Sequence, residues 1–463
     1  LAQTDIDIGE TIRHVQQAIQ AFETAGYVER KTISISNLAI YYADLGLYPH
    51  ARRLHEDAVR THRSMGSNLS QAYALENLGE VEVEIGALDA ASGHCRQLSE
   101  LVSAFGDPTM ESALPRLAGE IAFAAGEPKA AVRRFEEAVK VAREVSARHE
   151  DVMLTRLGSA LLASGNTVAA LKATTCATTL HRGHAFAAPD GLTSQEIWWR
   201  HAQALSANQR AKEARDTLAR AHGFLLERIA TLRDEGLRRN YLNKVAVNRE
   251  ILAAWLDDSA RRKLSKDKAL AHLAIESNVR EPFQRLADTG LRLNALHTAR
   301  EIEVFVVEEA TELTGGERVL LLLDVDGKPT VAEAMHPRRE NTTAILRSIG
   351  TYLDRARTTR TVHLVHTPQA ASALKQRSRI VAPLIAQNRV LGYLYSDIDG
   401  VYGRFTETDR DMLGMLANQA AVALDNAHWA QGLEAKVEER TAELSTSNAR
   451  LEQRNAELAI INS

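Results

Sequence analysis

The stretch of sequence that decides the fold is Ser378–Ala427, which reads SRIVAPLIAQNRVLGYLYSDIDGVYGRFTETDRDMLGMLANQAAVALDNA. Two runs rich in aliphatic and aromatic residues, 379–385 and 390–395, flank a turn signal, as in a pair of antiparallel strands. Apolar residues then recur at helical spacing, and Thr406 or Thr408 offers a side-chain oxygen that can cap a helix. This stretch therefore predicts two strands followed by a long final helix.

The sequence upstream of this stretch has the pattern of a mixed domain. Apolar residues at helical spacing run from Leu291 to Leu313 and end at Gly315-Gly316, which is a helix-terminating signal. The next segments predict two strands, at 318–324 and 330–334, joined by a hairpin turn at Asp326-Gly327. A helix at 344–352 and a strand at 361–365 follow. This order predicts an α+β domain with an antiparallel sheet.

The segments 378–397 and 403–427 closely resemble the C-terminal half of GAF domains. The family pattern there is an APL strand, a GYLY strand and a helix of the form F-T-x-x-D-x-x-L-x-x-L-A-x-Q-A-A-x-A-L-x-N-A, and all three are present in this chain. The resemblance covers residues 286–428. It implies a module that senses a small molecule or a protein, with a pocket on one side of the sheet.

Two types of ligand that GAF domains bind require particular residues, and the sequence shows whether this domain has them. Members that bind cyclic nucleotides carry an Asn-Lys-x-Phe motif inside the domain, but Asn243-Lys244 lies outside it and is followed by Val-Ala. A covalent bilin and a thiol redox sensor both need a cysteine, and Cys95 and Cys176 also lie outside the domain. We therefore disfavour cyclic nucleotides, exclude a covalent bilin and expect no cofactor.

A pocket in this domain should be lined by the stretch 341–376 and the adjacent strands. The candidate ligand contacts are Tyr352, His363, Tyr393 and Tyr395. The alternative is that the tyrosines pack in the core and His363 faces solvent. Nearby arginines suggest attraction of an anionic ligand, with a solvated helix face as the alternative. These arginines are Arg338, Arg339, Arg347, Arg355, Arg357 and Arg360.

A seven-residue apolar frame begins in the last helix and continues beyond the predicted domain. Its members are Leu416, Ala423, Ala430, Val437, Leu444, Leu451 and Leu458. Such a repeat predicts a coiled coil, and Asn448 and Asn455 occupy its a positions. Buried asparagine there weakens the pairing but favours a parallel dimer in one register. The segment also resembles the signalling helices of bacterial sensor proteins; the alternative is a solvated amphipathic tail.

The first half of the chain contains an internal repeat with a period near 40 residues. The string Gly-x-x-x-x-Ala recurs at Gly46/Ala51, Gly86/Ala91, Gly126/Ala131 and Gly165/Ala170, with a weaker copy centred on Asn208 and Ala214. This spacing predicts stacked helix pairs, each with its turn at the glycine and a close helix contact at the alanine. The apolar periodicity of residues 224–262 predicts that helix continues there as a cap.

The repeat pattern resembles a lengthened tetratricopeptide repeat over residues 30–225. That resemblance implies a concave groove for a protein or peptide partner. The alternative is a structural spacer, or a dock for another domain of the same chain. Trp198 and Trp199 are candidate groove aromatics, with packing in the core as the alternative.

Composition limits the function classes. The chain has 463 residues, 45% of them hydrophobic and 25% charged, and a net charge of −4, which gives no reason to expect nucleic acid as a partner. The two isolated cysteines and the absence of a long apolar run predict a cytoplasmic protein that neither binds nor spans a membrane. We find no phosphate-binding loop, nucleophile elbow or metal-ligand motif, and therefore expect neither an enzyme nor a metal site.

The sequence therefore predicts a regulatory chain of four parts: helical repeats with capping helices at 1–262, a linker at 263–285, a GAF-like domain at 286–428 and a coiled-coil helix at 429–463. We expect the repeats to bind a partner, the GAF-like domain to sense, and a parallel homodimer to relay the signal. Because the chain starts at Leu1 and stops in helical pattern, we expect the output domain, a class III nucleotide cyclase or a histidine kinase, to lie outside it. The alternative is a scaffold in which the GAF-like domain only dimerises.

Overall fold

The computed structural model describes residues 7–105, 108–145, 149–189, 191–275, 286, 289–290, 292–293, 295–366 and 376–461. Contacts within the chain divide it into two compact units, Leu1–Asn278 and Val279–Ser463. The regular structure described in the first unit is helical, whereas the second unit combines helices with one antiparallel sheet. The predicted class, a helical-repeat domain followed by an α+β domain, is confirmed.

The first unit is a succession of helices joined by short turns. The described helices are α1 Ile8–Thr24, α2 Val28–Asp44, α3 Tyr48–Met65, α4 Asn68–Ile85, α5 Leu88–Phe105, α6 Pro108–Ala124, α7 Pro128–Val145, α8 Glu150–Ala163, α9 Thr167–Gly183, α10 Ser194–Ala207, α11 Ala211–Ala230, α12 Glu235–Lys244, α13 Ala246–Arg262 and α14 Lys266–Ala269, followed by a 3₁₀ turn at Ala271–Leu273. Helices α2 to α11 form five consecutive pairs, which we call the repeat array.

The turn inside each pair of the repeat array needs a left-handed backbone. Gly46, Gly86, Gly126 and Gly165 have φ of 76°, 65°, 79° and 86°, a region that glycine enters without steric cost. In the fifth pair the left-handed residue is Gln209, with φ of 62°, rather than the predicted Asn208. Asn208 instead ends α10, where its side chain donates to the carbonyls of Thr167 and Ala204, each at 2.8 Å.

Small residues mark the places where paired helices approach closely. The repeated alanines Ala51, Ala91, Ala131 and Ala170 are all fully buried. A side chain at Gly79 would place its Cβ 2.7 Å from the Leu117 Cδ2. Larger residues at these positions would push the helices apart, which explains why the repeat is visible in the sequence.

The helical continuation predicted over 224–262 is interrupted twice. Helix α11 ends at Ala230, and Asp234 then caps α12 by accepting a hydrogen bond from the Leu237 amide at 3.0 Å. Val245 is extended, with φ of −73° and ψ of 117°, and separates α12 from α13. Because neither break contains glycine or proline, the apolar periodicity did not reveal them.

The second unit is a five-stranded antiparallel sheet flanked by helices. The strand order is β2-β1-β5-β4-β3. The elements, in chain order, are α15 Ala299–Thr314, β1 Arg318–Val325, β2 Lys328–Met335, α16 Thr342–Thr359, β3 His363–His366, β4 Arg377–Ala386, β5 Arg389–Asp399 and α17 Glu407–Ile461. Two-residue turns join β1 to β2 and β4 to β5, and both central residues of each turn have positive φ, as hairpins require.

Two helix starts in this unit are decided by capping residues. Helix α15 begins at Ala299, where Thr298 and Glu301 form a reciprocal capping box; Leu291, the predicted start, lies outside the described residues. At α17 the Thr406 hydroxyl accepts from the Asp409 amide at 3.3 Å, and the Asp409 carboxylate accepts from the Thr406 amide at 2.6 Å. Thr406 is therefore the cap, rather than Thr408.

The sheet buries an apolar layer on each face. One face packs against α15 and α17, with Leu313, Leu384 and Leu416 among the fully buried residues. The other face packs against Ile349 and other apolar residues of α16, and we call it the α16 face. Helices therefore cover both faces of the sheet. A GAF-like pocket, which the sequence predicts on one side of the sheet, would lie between a face of the sheet and the helix that covers it.

Candidate functional site

Strand register brings three of the four predicted contact residues onto the α16 face. His363 pairs with Val381, and Val381 pairs with Tyr395, so these residues form one row across β3, β4 and β5. Tyr393 lies two residues from Tyr395 and points to the same side. Tyr352 comes from α16, and the Arg379 guanidinium lies 5.3 Å from the centre of its ring. All four residues therefore contribute to the interface between α16 and the sheet.

Tyr393 and Tyr395 are the floor of this interface. Both are fully buried in one apolar cluster with Ile345, Ile349 and Leu353 of α16. Each phenol has a protein partner, since the Tyr393 hydroxyl accepts from the Arg357 Nε at 3.0 Å and the Tyr395 hydroxyl donates to the Asp397 Oδ2 at 2.5 Å. A ligand on this face would have to displace α16 or enter at its edges to reach the two rings.

Arg357 ties the C-terminal end of α16 to the sheet. Besides Tyr393, its guanidinium donates to the Asp324 carboxylate at 2.9 Å and to the Gly327 carbonyl at 3.0 Å. The bond to Tyr393 and the charge of Asp324 raise the pKa of Arg357. Arg357 therefore adds polar contacts to β5 and to the hairpin between β1 and β2, beside the apolar packing of α16 on the sheet.

Asp397 is the centre of a charged network at the other end of the α16 face. It is fully buried and accepts from the Arg377 Nη1 at 2.6 Å and from the Arg318 Nη1 at 3.3 Å, in addition to Tyr395. Burial and the nearby Asp397 carboxylate raise the pKa of Tyr395 well above its usual value. Glu340 binds Arg318 with two hydrogen bonds, at 2.5 and 2.7 Å.

Sequence analysis missed this network. Its members come from β1, β4 and β5, and only the strand register shows that Arg318 pairs with Asp397 and Asp397 with Arg379. The signal present in the sequence was an aspartate in an otherwise apolar strand. Because a buried charge must be paired, that aspartate indicates a cation on a neighbouring strand.

The arginines predicted to attract an anion are spread over the surface of this unit. Arg338, Arg339, Arg347, Arg355 and Arg360 are exposed, and the Arg360 Nη1 donates to the Asn388 side chain at 2.8 Å. His363 is half-buried, with its Nε2 2.6 Å from the Thr359 hydroxyl, and burial together with Arg355 lowers its pKa. Residues 367–375 of the predicted lining lie outside the described residues.

The long helix α17 joins the core of the second unit to a free helical extension. It is continuous over 55 residues. Leu416 and Ala423 are buried in the core of their own unit, so they are not available to contact a second chain. Every described side chain from His428 to Leu451 is exposed. The side chains of Asn455 and Leu458 lie outside the described residues.

The predicted heptad frame therefore changes its surroundings along α17. In a straight α-helix, positions seven residues apart drift by about 20° per heptad, so a frame that faces the core at Leu416 faces outward a few heptads later. Ala430, Val437, Leu444, Asn448 and Leu451 lie on the exposed part. Leu416 and Ala423, which the sequence assigned to the same seam, are buried in the core of their own unit.

An exposed apolar line along α17 combines Val437, Leu444 and Leu451 of the predicted frame with four residues outside that frame. At 3.6 residues per turn its members fall within a sector of roughly 80°. We call this line the outward stripe, and it consists of Met415, Val422, Trp429, Leu433, Val437, Leu444 and Leu451, all at least 47% exposed. The stripe begins on the folded unit and continues along the extension, and its seven-residue phase shifts by one position between Trp429 and Val437.

The repeat array has its own polar face, built by the first helix of each pair. The Arg116 guanidinium forms ion pairs with Glu76, Glu80 and Glu120, which join α4 to α6. Arg156 on α8 continues the ladder by pairing with Glu120 at 3.2 Å. These ion pairs connect α4, α6 and α8 within the array.

Exposed apolar residues adjoin the charged ladder. Ile33 and Ile40 on α2 and Tyr73 on α4 are exposed. Ile33, Ile40 and Asp44 follow a seven- and four-residue spacing, so they share one side of α2. Asp44 is exposed, but protein atoms lie close around its carboxyl. The loss of nearby water raises the pKa of this carboxyl to about 6. The array therefore presents a recessed surface of mixed character.

The two predicted groove tryptophans have different surroundings. Trp198 is buried, donates from its Nε1 to the His181 Nδ1 at 3.0 Å and packs near Phe186 and Phe224. The Trp199 Nε1 donates to the Glu250 carboxylate of α13 at 2.7 Å and is half-buried. Both therefore have structural contacts within the unit.

A known family and several solved structures match parts of the chain. Residues 305–424 match the GAF domain family, so the second unit contains a GAF domain. No curated protein sequence matches the chain.

Solved structures similar to parts of the chain fall into two groups. BtubC (BKLC) from P. vanneervenii is 13% identical with a TM-score of 0.38, and the match covers 48% of this chain and 91% of that one. A signal transduction ATPase with a tetratricopeptide repeat sensor from Pyrococcus horikoshii is 12% identical, covering 59% and 41%, with a TM-score of 0.39. The GAF-B domain of DevS from Mycobacterium smegmatis is 20% identical, covering 29% and 98%, with a TM-score of 0.22.

None of the helices in the described part of the chain has the length and apolarity needed to cross a membrane. No three His, Cys, Asp or Glu side chains in this part of the chain are grouped as ligands for a metal ion.

Proposed function

We propose that this chain is the sensory and regulatory part of a bacterial cytoplasmic signal-transduction protein. The repeat array binds a protein partner, the GAF domain responds to a small molecule at the α16 face, and α17 transmits the response as one strand of a parallel homodimer. The receiving domain is of the nucleotide cyclase or histidine kinase class, which the architecture of the sequence resembles. The four-part division of the sequence, with boundaries near residues 262, 285 and 428, belongs to this proposal.

The observation that carries the proposal is the continuity of α17. A movement of its buried segment, which packs on the sheet, is passed to the exposed segment because no break in the helix absorbs it. The outward stripe supplies the surface on which two such helices pair. Two nearly equal packings of a weak coil can be biased by a small displacement, which is how a switch of this kind works.

Cysteine cross-linking tests the parallel arrangement. In a parallel dimer the two copies of residue 444 meet, so Leu444→Cys should form a disulfide between two chains on mild oxidation. Ala442→Cys is the matched control, because it lies two residues away on the opposite side of the helix. Both are made in a chain with Cys95 and Cys176 replaced by serine. Equal cross-linking of the two variants, or none in a chain that sediments as a monomer, would contradict the proposal.

A scaffold function is the second candidate, and one observation favours it. Tyr393 and Tyr395 fill the α16 face with the chain's own side chains. Native mass spectrometry of the purified chain separates the two candidates, because it reports bound small molecules and the number of subunits together. A dimer that carries a small molecule supports sensing, whereas a dimer with none after incubation with cell metabolites supports a scaffold.

A further inference from the structure

Helix α12 has an unusual composition for a buried element. It is ten residues long, and all residues from Gly236 to Asn243 are buried. Four of these, Arg238, Arg239, Asn240 and Asn243, have polar or charged side chains. An ordinary core helix would bury apolar residues at these positions. The composition of α12 is closer to that of a bound polar peptide than to that of a core element.

Helix α12 contacts the start and the end of the helical unit at once. At the start, a Cβ on Gly9 of α1 would lie 3.3 Å from the Leu237 Cδ1, and a Cβ on Gly46 would lie 3.0 Å from the backbone of Lys244 and Val245. At the end, Gln195 of α10 donates to the Tyr241 hydroxyl at 2.5 Å. These contacts join residues that are far apart in the sequence.

These contacts place α12 in the space that the repeat array encloses. In a stacked array each repeat contacts only its neighbours, so a helix that touches the first and the fifth pair together must lie across the concave side. Two long-range electrostatic effects agree with this position. Arg228 of α11 acts on Asp44 of α2, and Glu196 of α10 acts on Tyr48 of α3.

The first turn of the array differs from the third in the space around its glycine, Gly46. Its left-handed φ of 76° is shared by Gly126, with φ of 79°. A side chain at Gly126 would meet no atom within 4 Å, whereas one at Gly46 would collide with the end of α12. The first turn therefore has a second constraint, which is to accommodate the junction between α12 and α13.

We propose that α12 is an intramolecular ligand of the repeat array, held on the surface through which the array binds its partner and displaced when that partner binds. The partner this surface fits is a helix that presents an aromatic hydroxyl together with amide or guanidinium groups, as Tyr241, Asn243 and Arg239 do. The proposal rests on the proposed role of the array in binding a protein. It adds that the array regulates this binding through its own chain.

The polarity of α12 is what makes displacement feasible. Arg238 and Arg239 form ion pairs with Glu235 of the same helix, so these pairs can leave the array together with α12. The asparagine side chains can form hydrogen bonds to water when they are released. The segment is also bounded by non-helical residues on both sides, 231–234 and Val245, which allow it to move without unwinding α11 or α13.

Hydrogen exchange on the full chain tests the proposal with Gly46→Ala and its control Gly126→Ala. Both variants place alanine at the same left-handed backbone, so both carry a similar backbone strain. We expect Gly46→Ala alone to increase exchange across 235–244 by about tenfold or more, which corresponds to about 1.4 kcal/mol, while α4 to α9 stay protected. Exchange that rises equally in all helices, or not at all in 235–244, would show that α12 is an ordinary core element.

A labelled peptide of residues 234–248 gives an independent readout. It should bind Leu237→Ala, whose own α12 has lost a buried leucine that the peptide keeps, at least about tenfold more tightly than wild type or Gly126→Ala, because the surface is free only in the first. Should Gly46→Ala not fold, Gln195→Ala removes the bond to Tyr241 and should increase exchange across 235–244 in its place. Failure of the peptide to bind a folded variant with an exposed α12 overturns the inference. A partner protein that binds while 235–244 stays protected overturns it too, but leaves the proposed function intact.

Discussion

Asp397 shows how a single residue organises the α16 face. It is fully buried between Arg318 and Arg377 and also accepts from Tyr395. The presence of aspartate in β5 follows from the sequence, but its partners do not, because they depend on the register of three strands. The aromatic candidates Tyr393 and Tyr395 were predictable as neighbours since alternate residues of a strand share a face.

Removal of the Asp397 carboxylate should destabilise the second unit strongly. Asp397→Ala leaves two arginines without their shared buried partner, and breaking such a buried pair costs about 3–5 kcal/mol. Glu340→Ala is the control, because Glu340 is only half-buried and should cost about 1 kcal/mol or less. Hydrogen exchange of the β5 amides measures both effects in the full chain. Similar protection of β5 in the two variants would mean that Asp397 does not hold the network together.

Elements were predictable where turns or caps have a local chemical signature. The glycine turns of the repeat array and the Asp326-Gly327 hairpin were found because their backbones need residues that tolerate positive φ. The breaks at 231–234 and Val245 were not found, because an aspartate cap and an extended valine leave the apolar periodicity intact. The face of α17 that the core covers was also not predictable, since a heptad frame drifts around a straight helix.

The outward stripe and the buried frame of α17 should respond differently to charge. Val422→Asp changes an exposed residue of the stripe, so the fold should be kept while dimer affinity falls at least about tenfold, because burial of a valine is worth about 1.5 kcal/mol or more. Leu416→Asp places a carboxylate in the core and should unfold the second unit. Ala442→Asp, on the side of the helix away from the stripe, should change neither property.

Sedimentation equilibrium measures the dimer affinity and circular dichroism the fold of these three variants. The interpretation of the stripe fails if Val422→Asp dimerises like wild type. It also fails if Ala442→Asp weakens the dimer as much as Val422→Asp, because the contact would then not depend on the side of the helix.

At the scale of the whole chain, fold class followed from periodicity, but the placement of α12 did not. The 40-residue repeat and the GAF pattern are each visible in a few local residues. Contacts between Gln195 and Tyr241 or between Gly46 and Lys244 join distant segments and have no local signature. The burial of the histidines was not predictable from the sequence either, because it depends on how the helices stack.

Buried histidines should make the first unit sensitive to acid. Burial lowers the pKa of His55, His181, His201 and His222 to about 4 in each case. In the unfolded chain their pKa is about 6.5, so the unfolded state binds more protons between the two values. The contribution of these histidines to the stability of the fold is therefore complete above about pH 6.5 and is lost as the pH falls towards 4.

The raised pKa of Asp44, about 6, acts in the opposite direction, since protonation there favours the folded state as the pH falls. Burial also raises the pKa of Asp7, Glu82, Glu84, Glu120 and Asp151 in this unit, so the histidine contribution has to be isolated by changing one histidine at a time. His55 is the most informative histidine to replace, because neither of its ring nitrogens has a hydrogen-bond partner among the described residues. Its replacement therefore removes a titrating group without breaking a hydrogen bond.

His55→Leu should reduce the slope of the unfolding free energy against pH near pH 5 by about 1.4 kcal/mol per pH unit, which is the contribution of one proton. His14→Leu, at an exposed position of α1, is the control and should leave the slope unchanged. Urea unfolding followed by tryptophan fluorescence at several pH values measures the slope, since Trp198, Trp199 and Trp255 belong to this unit. A slope that is the same in His55→Leu and wild type would mean that His55 is protonated in the folded chain, and that water reaches this part of the repeat array.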